Sequence, residues 1–162
     1  MGKFNSLNDK VVVIAGGAKN LGGLLSKTYA EHGAKLVIHH HDEHSLNEAQ
    51  ETLAKVEALG GQGTLFSGDL TQVKNVESLF QHAQNTFGKI DIAINTVGKV
   101  LKKPMAHTTE EEFDNMADIN AKSAYFFIKY AEKAMNDNGK IITLATALLA
   151  AYTGLYATYA GG

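Results

Sequence analysis

A cluster of glycines with the chemistry of a phosphate-binding turn lies near the start of the chain. The segment Gly16–Gly23 reads Gly-Gly-Ala-Lys-Asn-Leu-Gly-Gly and follows a short apolar run. Glycine lets backbone N–H groups approach a pyrophosphate, and the first turn of a helix offers unpaired N–H groups and the positive end of the helix dipole. A tight turn alone could explain an isolated glycine cluster, but here a strand is predicted before it and a helix after it. We therefore predict a nucleotide-binding site at this turn.

The elements that must position this turn alternate between strand and helix along the chain. Short apolar and β-branched runs predict five strands, each too short for a helix of typical length. The predicted strands are Lys10–Ala15, Lys35–His39, Thr64–Ser67, Ile90–Asn95 and Lys140–Leu144. Because they are apolar throughout, we expect parallel strands that are covered on both faces.

Helical patterns fill the intervals between these strands. Leu21–Glu31 has helix-forming composition and stops at Gly33, a typical position for a C-terminal cap. Two pairs have the spacing of a capping box, Ser45 with Glu48 and Thr109 with Glu112. The last long apolar stripe runs to Asn138-Gly139. The alternation predicts an α/β fold with a doubly wound parallel sheet of the Rossmann type, and a single domain over residues 1–162.

The composition excludes several classes of site. Of the 162 residues, 44% are hydrophobic and 20% charged, and the formal net charge is −2. There is no cysteine, which excludes disulfides and thiolate metal sites, and all 15 cationic side chains are lysines. The lack of a basic block argues against nucleic acid as a partner, and the lack of a long apolar run argues against a membrane. We expect a cytoplasmic protein whose anion sites use lysine, histidine or backbone N–H groups.

Further motifs follow the later strands in a fixed order. Gly68-Asp69-Leu70 comes after the third strand and Asn95-Thr96-Val97-Gly98 after the fourth. Asn120 lies in the next helical stretch, and Thr146 and Tyr159 follow the fifth strand. In this order and spacing the motifs resemble the short-chain dehydrogenase/reductase family. Each motif also has a purely structural interpretation. Asp69 could serve merely as the N-terminal cap of the following helix, and the two asparagines could be turn or cap residues.

The resemblance implies which residues bind a nicotinamide dinucleotide. The family's turn reads T-G-x-x-x-G-x-G, and with Gly17 as its first glycine and Gly23 as its last, the middle glycine is displaced by one residue, to Gly22. The asparagine motif is similar to the family's N-N-A-G, and Asp69 is similar to the aspartate that contacts adenine. The implied cofactor-binding residues are Gly17, Lys19, Asn20, Leu21, Gly23, His40, His41, Asp69, Leu70, Asn95, Val97 and Gly98.

The resemblance also implies a catalytic group of three residues. Tyr159 would exchange the proton, Thr146 would take the serine's place in binding the substrate oxygen, and Asn120 would position a lysine through water. Tyrosine has an unperturbed pKa of about 10, so it needs a neighbouring cation that favours the phenolate. Tyr152 and Tyr156 are rivals, but Tyr159 alone has the family's separation from Thr146. The implied activity is hydride transfer between the cofactor and a small ketone or secondary alcohol.

The end of the second strand indicates which cofactor is preferred. A carboxylate there holds the 2′-hydroxyl of NAD and repels the phosphate of NADP. The family's selecting positions correspond to His40 and His41, with Asp42 and Glu43 slightly later. Lys19 stands where NADP-preferring members often carry a basic residue. We therefore expect NADP(H) to be favoured over NAD(H).

Two further clusters admit a functional interpretation. His39 and His41 point to the same side of a strand and could share a metal, but with no cysteine nearby we interpret these histidines, with His44, as solvent-facing residues that flank the cofactor, and expect no metal site. The lysines around Pro104 form a basic loop. We interpret them as solvated, mobile surface rather than a site for acidic substrates; they are Lys99, Lys102 and Lys103.

The printed sequence ends at Gly162, one residue before the lysine of the family's Y-x-x-x-K motif. We therefore expect it to be the N-terminal part of an enzyme and to be inactive by itself. The helix within Ala121–Met135 resembles the family's subunit contact, which implies a homo-oligomer, a dimer or tetramer. Two alternatives stay open. One is a catalytically inactive dinucleotide-binding protein; the other is a sugar-nucleotide epimerase or dehydratase, whose glycine pattern fits less well.

Overall fold

The chain forms a five-stranded parallel sheet. A computed structural model describes residues 7–150 and 154–161. The sheet has the order β3-β2-β1-β4-β5, and every neighbouring pair is parallel. The strands are β1 (Val11–Ala15), β2 (Lys35–His40), β3 (Gln62–Ser67), β4 (Ile90–Asn95) and β5 (Met135–Thr143). The predicted doubly wound α/β fold is confirmed, with β1 in the centre where the strand order reverses.

Six α-helices connect or follow these strands in the described part of the chain. They are α1 (Asn20–Glu31), α2 (Leu46–Ala58), α3 (Val73–Phe87), α4 (Glu110–Met116), α5 (Ser123–Ala134) and the short α6 (Ala157–Ala160). A π-helical turn, Ala117–Lys122, joins α4 to α5. No helix among the described residues is both long and apolar enough to traverse a lipid bilayer.

The core lies on both faces of the sheet because the central strands are apolar on both sides. Val13 faces a cluster formed with α3 and α5, in which Phe80 and Phe127 pack with their ring centroids 5.0 Å apart. Val12 and Ile14 face the opposite cluster, formed with α1 and α2. β1 is therefore buried along its whole length, and the loops that follow its carboxyl end rest on a rigid base.

One of the two predicted capping boxes is confirmed and the other is wrong. Thr109 and Glu112 bond each other's backbone N–H groups at the start of α4. Ser45 instead closes a capping box with Asp42, three residues before it, so that Asp42 begins the turn ahead of α2. Glu48 is consequently free to pair elsewhere, and its carboxylate lies 3.0 Å from the Lys19 ammonium.

The fifth strand also differs from its prediction. The apolar stripe suggested a helix as far as Asn138-Gly139, but α5 ends at Ala134 and β5 begins at Met135. Met135 pairs with Ile90 and Lys140 with Ile92, so the intervening residues bulge out of the ladder. Asn138 takes a left-handed φ of 64° within this bulge. The pattern of apolar residues could not separate a helix end from a bulged strand.

Candidate active site

Two adjoining cavities lie at the carboxyl ends of the strands. The larger is a cleft of about 700 Å³ over the ends of β1 and β2, and the smaller is a cavity of about 380 Å³ beside β5. They share one wall, the segment Thr96–Lys99 that follows β4. Ligands of open α/β sheets bind at this edge, where the strand order reverses. The arrangement can hold one long ligand in the cleft and bring its end to a second molecule in the cavity.

The glycine-rich turn has its tightest constraints one residue earlier than predicted. Gly16 has φ 73° and Asn20 has φ 51°, both left-handed. A Cβ on Gly22 would lie 2.0 Å from the Gly16 carbonyl oxygen. The pattern G-x-x-x-G-x-G therefore begins at Gly16 and ends at Gly22, with Asn20 at the middle position, because asparagine tolerates a left-handed backbone better than other side chains.

The predicted residues of this turn divide into those that line the cleft and those that do not. Lys19 and Asn20 line it, together with Gly16 and Ala18. Gly17 and Gly23 are buried in the turn but are not among the lining residues, and Leu21 is 47% exposed outside the cleft. Gly17, Leu21 and Gly23 thus do not line the cleft, and their predicted role in cofactor binding stays a prediction.

The first turn of α1 fits an anionic ligand. Its N-cap residue, Lys19, makes no side-chain hydrogen bond to the N–H groups of that turn. Helix N-termini with free N–H groups attract phosphate through those groups and through the helix dipole. The close packing of Gly22 on Gly16 keeps the backbone bare of side chains at this point.

The residues that come after β3 form the opposite wall of the cleft. Asp69 and Leu70 line it as predicted, together with Thr71. The Asp69 carboxylate accepts hydrogen bonds from the backbone N–H and the hydroxyl of Thr71, at 2.9 and 2.8 Å. The alternative role of Asp69 as a helix cap is wrong, because Gln72 is the residue that precedes α3. Asp69 is instead held in a turn that faces the cleft.

The loop after β4 is shaped by two partly buried hydrogen bonds. The side-chain oxygen of Asn95 accepts from the N–H of Val97 at 3.0 Å, and the Thr96 hydroxyl donates to the Ala15 carbonyl at 2.7 Å. Val97 and Gly98 line the cleft as predicted, whereas Asn95 is 2% exposed and supports the loop from beneath. Sequence reasoning missed Thr96 as a lining residue, although its place in the quoted motif could have indicated it.

Two of the three histidines at the end of β2 are buried, and His39 was predicted to face solvent. The exposures of His39 and His40 are 3% and 4%, so both are buried, while the side chain of His41 is 60% exposed. The Nδ1 atom of His41 lies 3.9 Å from a carboxylate oxygen of Asp69. Burial lowers the pKa of His39 to about 4. Within residues 7–150 and 154–161, no group of three or more His, Asp or Glu side chains is placed to hold a metal ion.

Charged side chains meet at the mouth of the cleft near β2. The Lys19 ammonium lies on the cleft wall and pairs with Glu48, and this bond lowers the pKa of the Glu48 carboxyl. Partial burial would raise the pKa of Asp42, but hydrogen bonds from the Ser45 hydroxyl and N–H outweigh it and lower the pKa. Ser45, which also lines the cleft, was not predicted as a site residue.

The smaller cavity gathers all three predicted catalytic residues. Asn120, Thr146 and Tyr159 line it, whereas Tyr156 does not. The Lys102 ammonium lies 6.0 Å from the centre of the Tyr156 ring instead. Tyr152 lies outside the described residues. The distribution favours Tyr159 over Tyr156 as the residue that faces a substrate.

Asn120 is positioned by an irregular helix. It lies in the π-helical turn between α4 and α5, where the widened backbone turns its side chain toward the loop after β4. Its carboxamide accepts from the N–H of Lys99 at 2.9 Å and donates to the carbonyl of Lys99 at 3.0 Å. This two-point bond fixes the wall shared by the two cavities.

The basic loop beside the cavity is partly neutralised. Lys103 makes a bond of 2.8 Å to each carboxylate oxygen of Glu112, and its backbone N–H donates to the Leu155 carbonyl at 2.7 Å. Lys99 lines both cavities. Of the three lysines, Lys103 is thus anchored rather than simply solvated.

Comparison with known proteins places this geometry among oxidoreductases. A family model described as Enoyl-(Acyl carrier protein) reductase matches residues 16–161. The hydroxynaphthalene reductase of Aspergillus fumigatus is 32% identical over 157 residues, which is 96% of this chain and 56% of the fungal protein. The chain thus spans little more than half the length of this relative.

Solved structures that resemble this chain are also described as dehydrogenases. A Burkholderia cenocepacia protein described as a dehydrogenase, with NADP bound, is 52% identical at a TM-score of 0.94, and the match covers 98% of this chain and 60% of that one. A short-chain dehydrogenase from Oenococcus oeni is 53% identical at a TM-score of 0.80, with 96% and 70% covered.

Proposed function

Because the chain belongs to the short-chain dehydrogenase/reductase family, we propose that the whole protein transfers a hydride between NADP(H) and a small ketone or secondary alcohol. The observation that carries this proposal is the wall Thr96–Lys99, which is common to the cleft and the cavity. It supports a cofactor in the cleft next to a substrate that touches Asn120, Thr146 and Tyr159.

The residues of the cleft fit a dinucleotide. The α1 N-terminus and the bare backbone at Gly22 would hold the pyrophosphate, and the Asp69 turn would hold the adenosine end. When bound, NADPH supplies the hydride.

The residues of the cavity have separate roles in our proposal. Tyr159 donates its hydroxyl proton to the substrate oxygen during reduction and takes it back during oxidation. The Thr146 hydroxyl, which accepts from the N–H of Leu148 at 3.2 Å, keeps its own proton free to bind the same oxygen. Asn120 holds the shared wall through Lys99.

The charges near β2 support NADP(H) over NAD(H). Lys19 offers its ammonium and the exposed His41 a ring nitrogen to a 2′-phosphate. The Asp42 carboxylate, which could otherwise accept from a 2′-hydroxyl, is engaged by Ser45 in its capping box. Glu48 must release Lys19 for a phosphate to bind, so we expect this preference to be moderate.

We further propose a homo-oligomer that associates through α4 and α5. Three large apolar side chains on these helices are exposed: Phe113 by 55%, Tyr125 by 67% and Ile128 by 43%. Exposed apolar groups gathered on neighbouring helices are typical of subunit contacts. The cytoplasmic location stays a prediction from the sequence.

An assay of the whole protein tests the proposed reaction. NADPH and NADH oxidation are followed by absorbance with cyclic ketones, an aromatic hydroxy-ketone and an enoyl thioester as alternative substrates. We expect ketone reduction with a higher kcat/KM for NADPH. Turnover of the enoyl thioester alone would contradict the ketone assignment, and cofactor binding without any turnover would favour an inactive dinucleotide-binding protein.

A lysine pair tests the cofactor preference. Lys19→Ala should raise the KM for NADPH about tenfold, since one charge-assisted hydrogen bond is lost, and should leave the KM for NADH nearly unchanged. Lys55→Ala is the matched control, because Lys55 is exposed on α2 and does not line the cleft. An equal change for both cofactors would contradict a phosphate contact.

A further inference from the structure

One buried side chain connects the two walls of the cleft. The Nδ1 atom of His39 accepts a hydrogen bond from the N–H of Gly16 at 2.9 Å, and its Nε2 atom lies 2.7 Å from the carbonyl oxygen of Gly68. A carbonyl oxygen can only accept, so Nε2 carries the proton and Nδ1 carries none. The ring is therefore neutral and in one defined tautomer.

The two partners of His39 belong to strands that do not touch. Gly16 follows β1 and Gly68 follows β3, and β2 lies between these strands in the sheet. The backbone of β2 reaches one of them just past the strand ends, where the N–H of Gly68 donates to the His40 carbonyl at 3.1 Å. The imidazole of His39 extends this bonding to the other side, so that the turn after β1 and the loop after β3 are tied through one ring.

Both tied segments build the cleft. Gly16 opens the glycine-rich turn with a left-handed φ of 73°, and Gly68 directly precedes Asp69 and Leu70 on the opposite wall. Without the ring, one backbone donor and one backbone acceptor, both partly buried, would lose their partners. The separation of the two walls would then depend on the loops alone.

We propose that His39 is a positioning residue for the cofactor, a neutral strut that fixes the spacing between the glycine-rich turn and the Asp69 loop. The inference rests on the proposed dinucleotide site and adds to it a residue of the cleft wall that acts through its two backbone bonds. The strut works only in the neutral state, because a proton on Nδ1 would face the Gly16 N–H.

The surroundings of the ring favour that state. Its exposure is 3%, and burial is the main cause of its low pKa of about 4. The Gly68 carbonyl and Asp69 oppose this shift, while His40 and His41 add to it. The Phe66 ring lies 6.4 Å away and separates His39 from His82.

Three substitutions of His39 in the whole protein separate the contributions of its two hydrogen bonds. Asn places its oxygen near the position of Nδ1, so His39→Asn keeps the Gly16 bond, whereas the longer His39→Gln keeps the Gly68 bond. His39→Leu fills the space with neither. His82→Asn is the matched control, because His82 is half-buried on α3, bonds Thr64 and lies outside the cleft.

The readouts are the NADPH dissociation constant, by calorimetry, and the unfolding temperature of the cofactor-free protein. We expect His39→Leu to weaken NADPH binding by about tenfold or more, since the Gly16 N–H and the Gly68 carbonyl each lose a partly buried bond. His39→Asn and His39→Gln should each weaken it by a smaller factor, and His82→Asn should leave it unchanged. These two milder variants decide the matter if His39→Leu fails to fold.

Failure of the proposed function can be distinguished from failure of the strut. No NADPH binding by the unmutated protein would overturn the proposed function. Binding by the unmutated protein together with unchanged dissociation constants in His39→Asn and His39→Gln would overturn the strut, even if their unfolding temperatures fell.

Discussion

The cleft and the cavity share a wall but rest on strands that are covered very differently. β1 and β2 beneath the cleft are buried almost completely, and Val12, Val13 and Ile14 have no exposed surface. Beneath the cavity, β5 is the edge strand of a chain that spans little more than half the length of the fungal relative. There Ile141, Ile142 and Leu144 are 37%, 40% and 47% exposed.

The two sites also differ in the groups that build them. The cleft depends on close backbone approach and on partly buried hydrogen bonds, so changes in it should alter binding and stability together. The cavity depends on three polar side chains at its surface. Changes there should alter the reaction rate with little effect on folding.

The largest expected effect comes from the cavity. Tyr159→Phe removes the proposed proton donor, and we expect kcat to fall about 10²- to 10⁴-fold, with the NADPH dissociation constant unchanged. Steady-state kinetics and calorimetry on the whole protein measure the two quantities. Tyr156→Phe is the control. A rate loss confined to Tyr156→Phe would move the catalytic role to that residue.

The next effect comes from the glycine-rich turn. Gly22→Ala places a Cβ 2.0 Å from the Gly16 oxygen, so the turn must shift, and we expect a destabilisation of about 3 kcal/mol or more with loss of NADPH binding. Gly154→Ala is the control, since nothing lies within 4 Å of its added Cβ. Urea unfolding measures the stability of both variants, and calorimetry measures their NADPH binding. Equal stability of the two variants would show that the turn is not tightly constrained.

The third effect is a pH dependence that His39 gives to stability. Its pKa is about 4 in the folded chain and about 6.5 in an unfolded one. The unfolded state therefore binds more protons between these values, and the stabilisation is present above pH 6.5 and is lost as the pH falls toward 4. We expect a loss of about 2 kcal/mol between pH 7.5 and 5.

Urea unfolding at these two pH values checks this contribution. At pH 5 the carboxylates with lowered pKa, such as Asp42 and Asp91, are still ionised. His39→Gln should lose less stability than the unmutated chain over the same interval. His82→Asn corrects for the other histidine whose pKa burial lowers. An identical pH dependence in His39→Gln would contradict the assignment.

The smallest effect concerns Asn20. At its φ of 51°, glycine should be tolerated within about 0.5 kcal/mol, while Asn20→Val should cost about 1 to 3 kcal/mol because β-branched residues resist a left-handed backbone. Asn47→Val, at an exposed position of α2, controls for helix propensity. A large loss in Asn20→Gly would mean that the side chain, rather than the backbone, is what the turn requires.

The sequence predicted the order of strands and helices, and its three candidate catalytic residues do line one cavity. Both depend on apolar runs and on the order of the motifs, which a shift of one residue does not change. The sequence misplaced the glycine register, because Asn20 stands at a position where the pattern expects glycine. It also placed His39 with the solvent-facing histidines, since three neighbouring histidines carry no sign of which one turns inward. The inward position of His39 depends on its bonds to Gly16 and Gly68, which are distant in the sequence, so no local pattern could indicate it.

The central claim is that the cleft binds NADP(H). Calorimetric titration of the whole protein with NADPH and with NADH tests it most directly. We expect NADPH to bind at least several-fold more tightly, with the difference reduced in Lys19→Ala. Equal or tighter binding of NADH would contradict the cofactor preference, and binding of neither would contradict the claim itself.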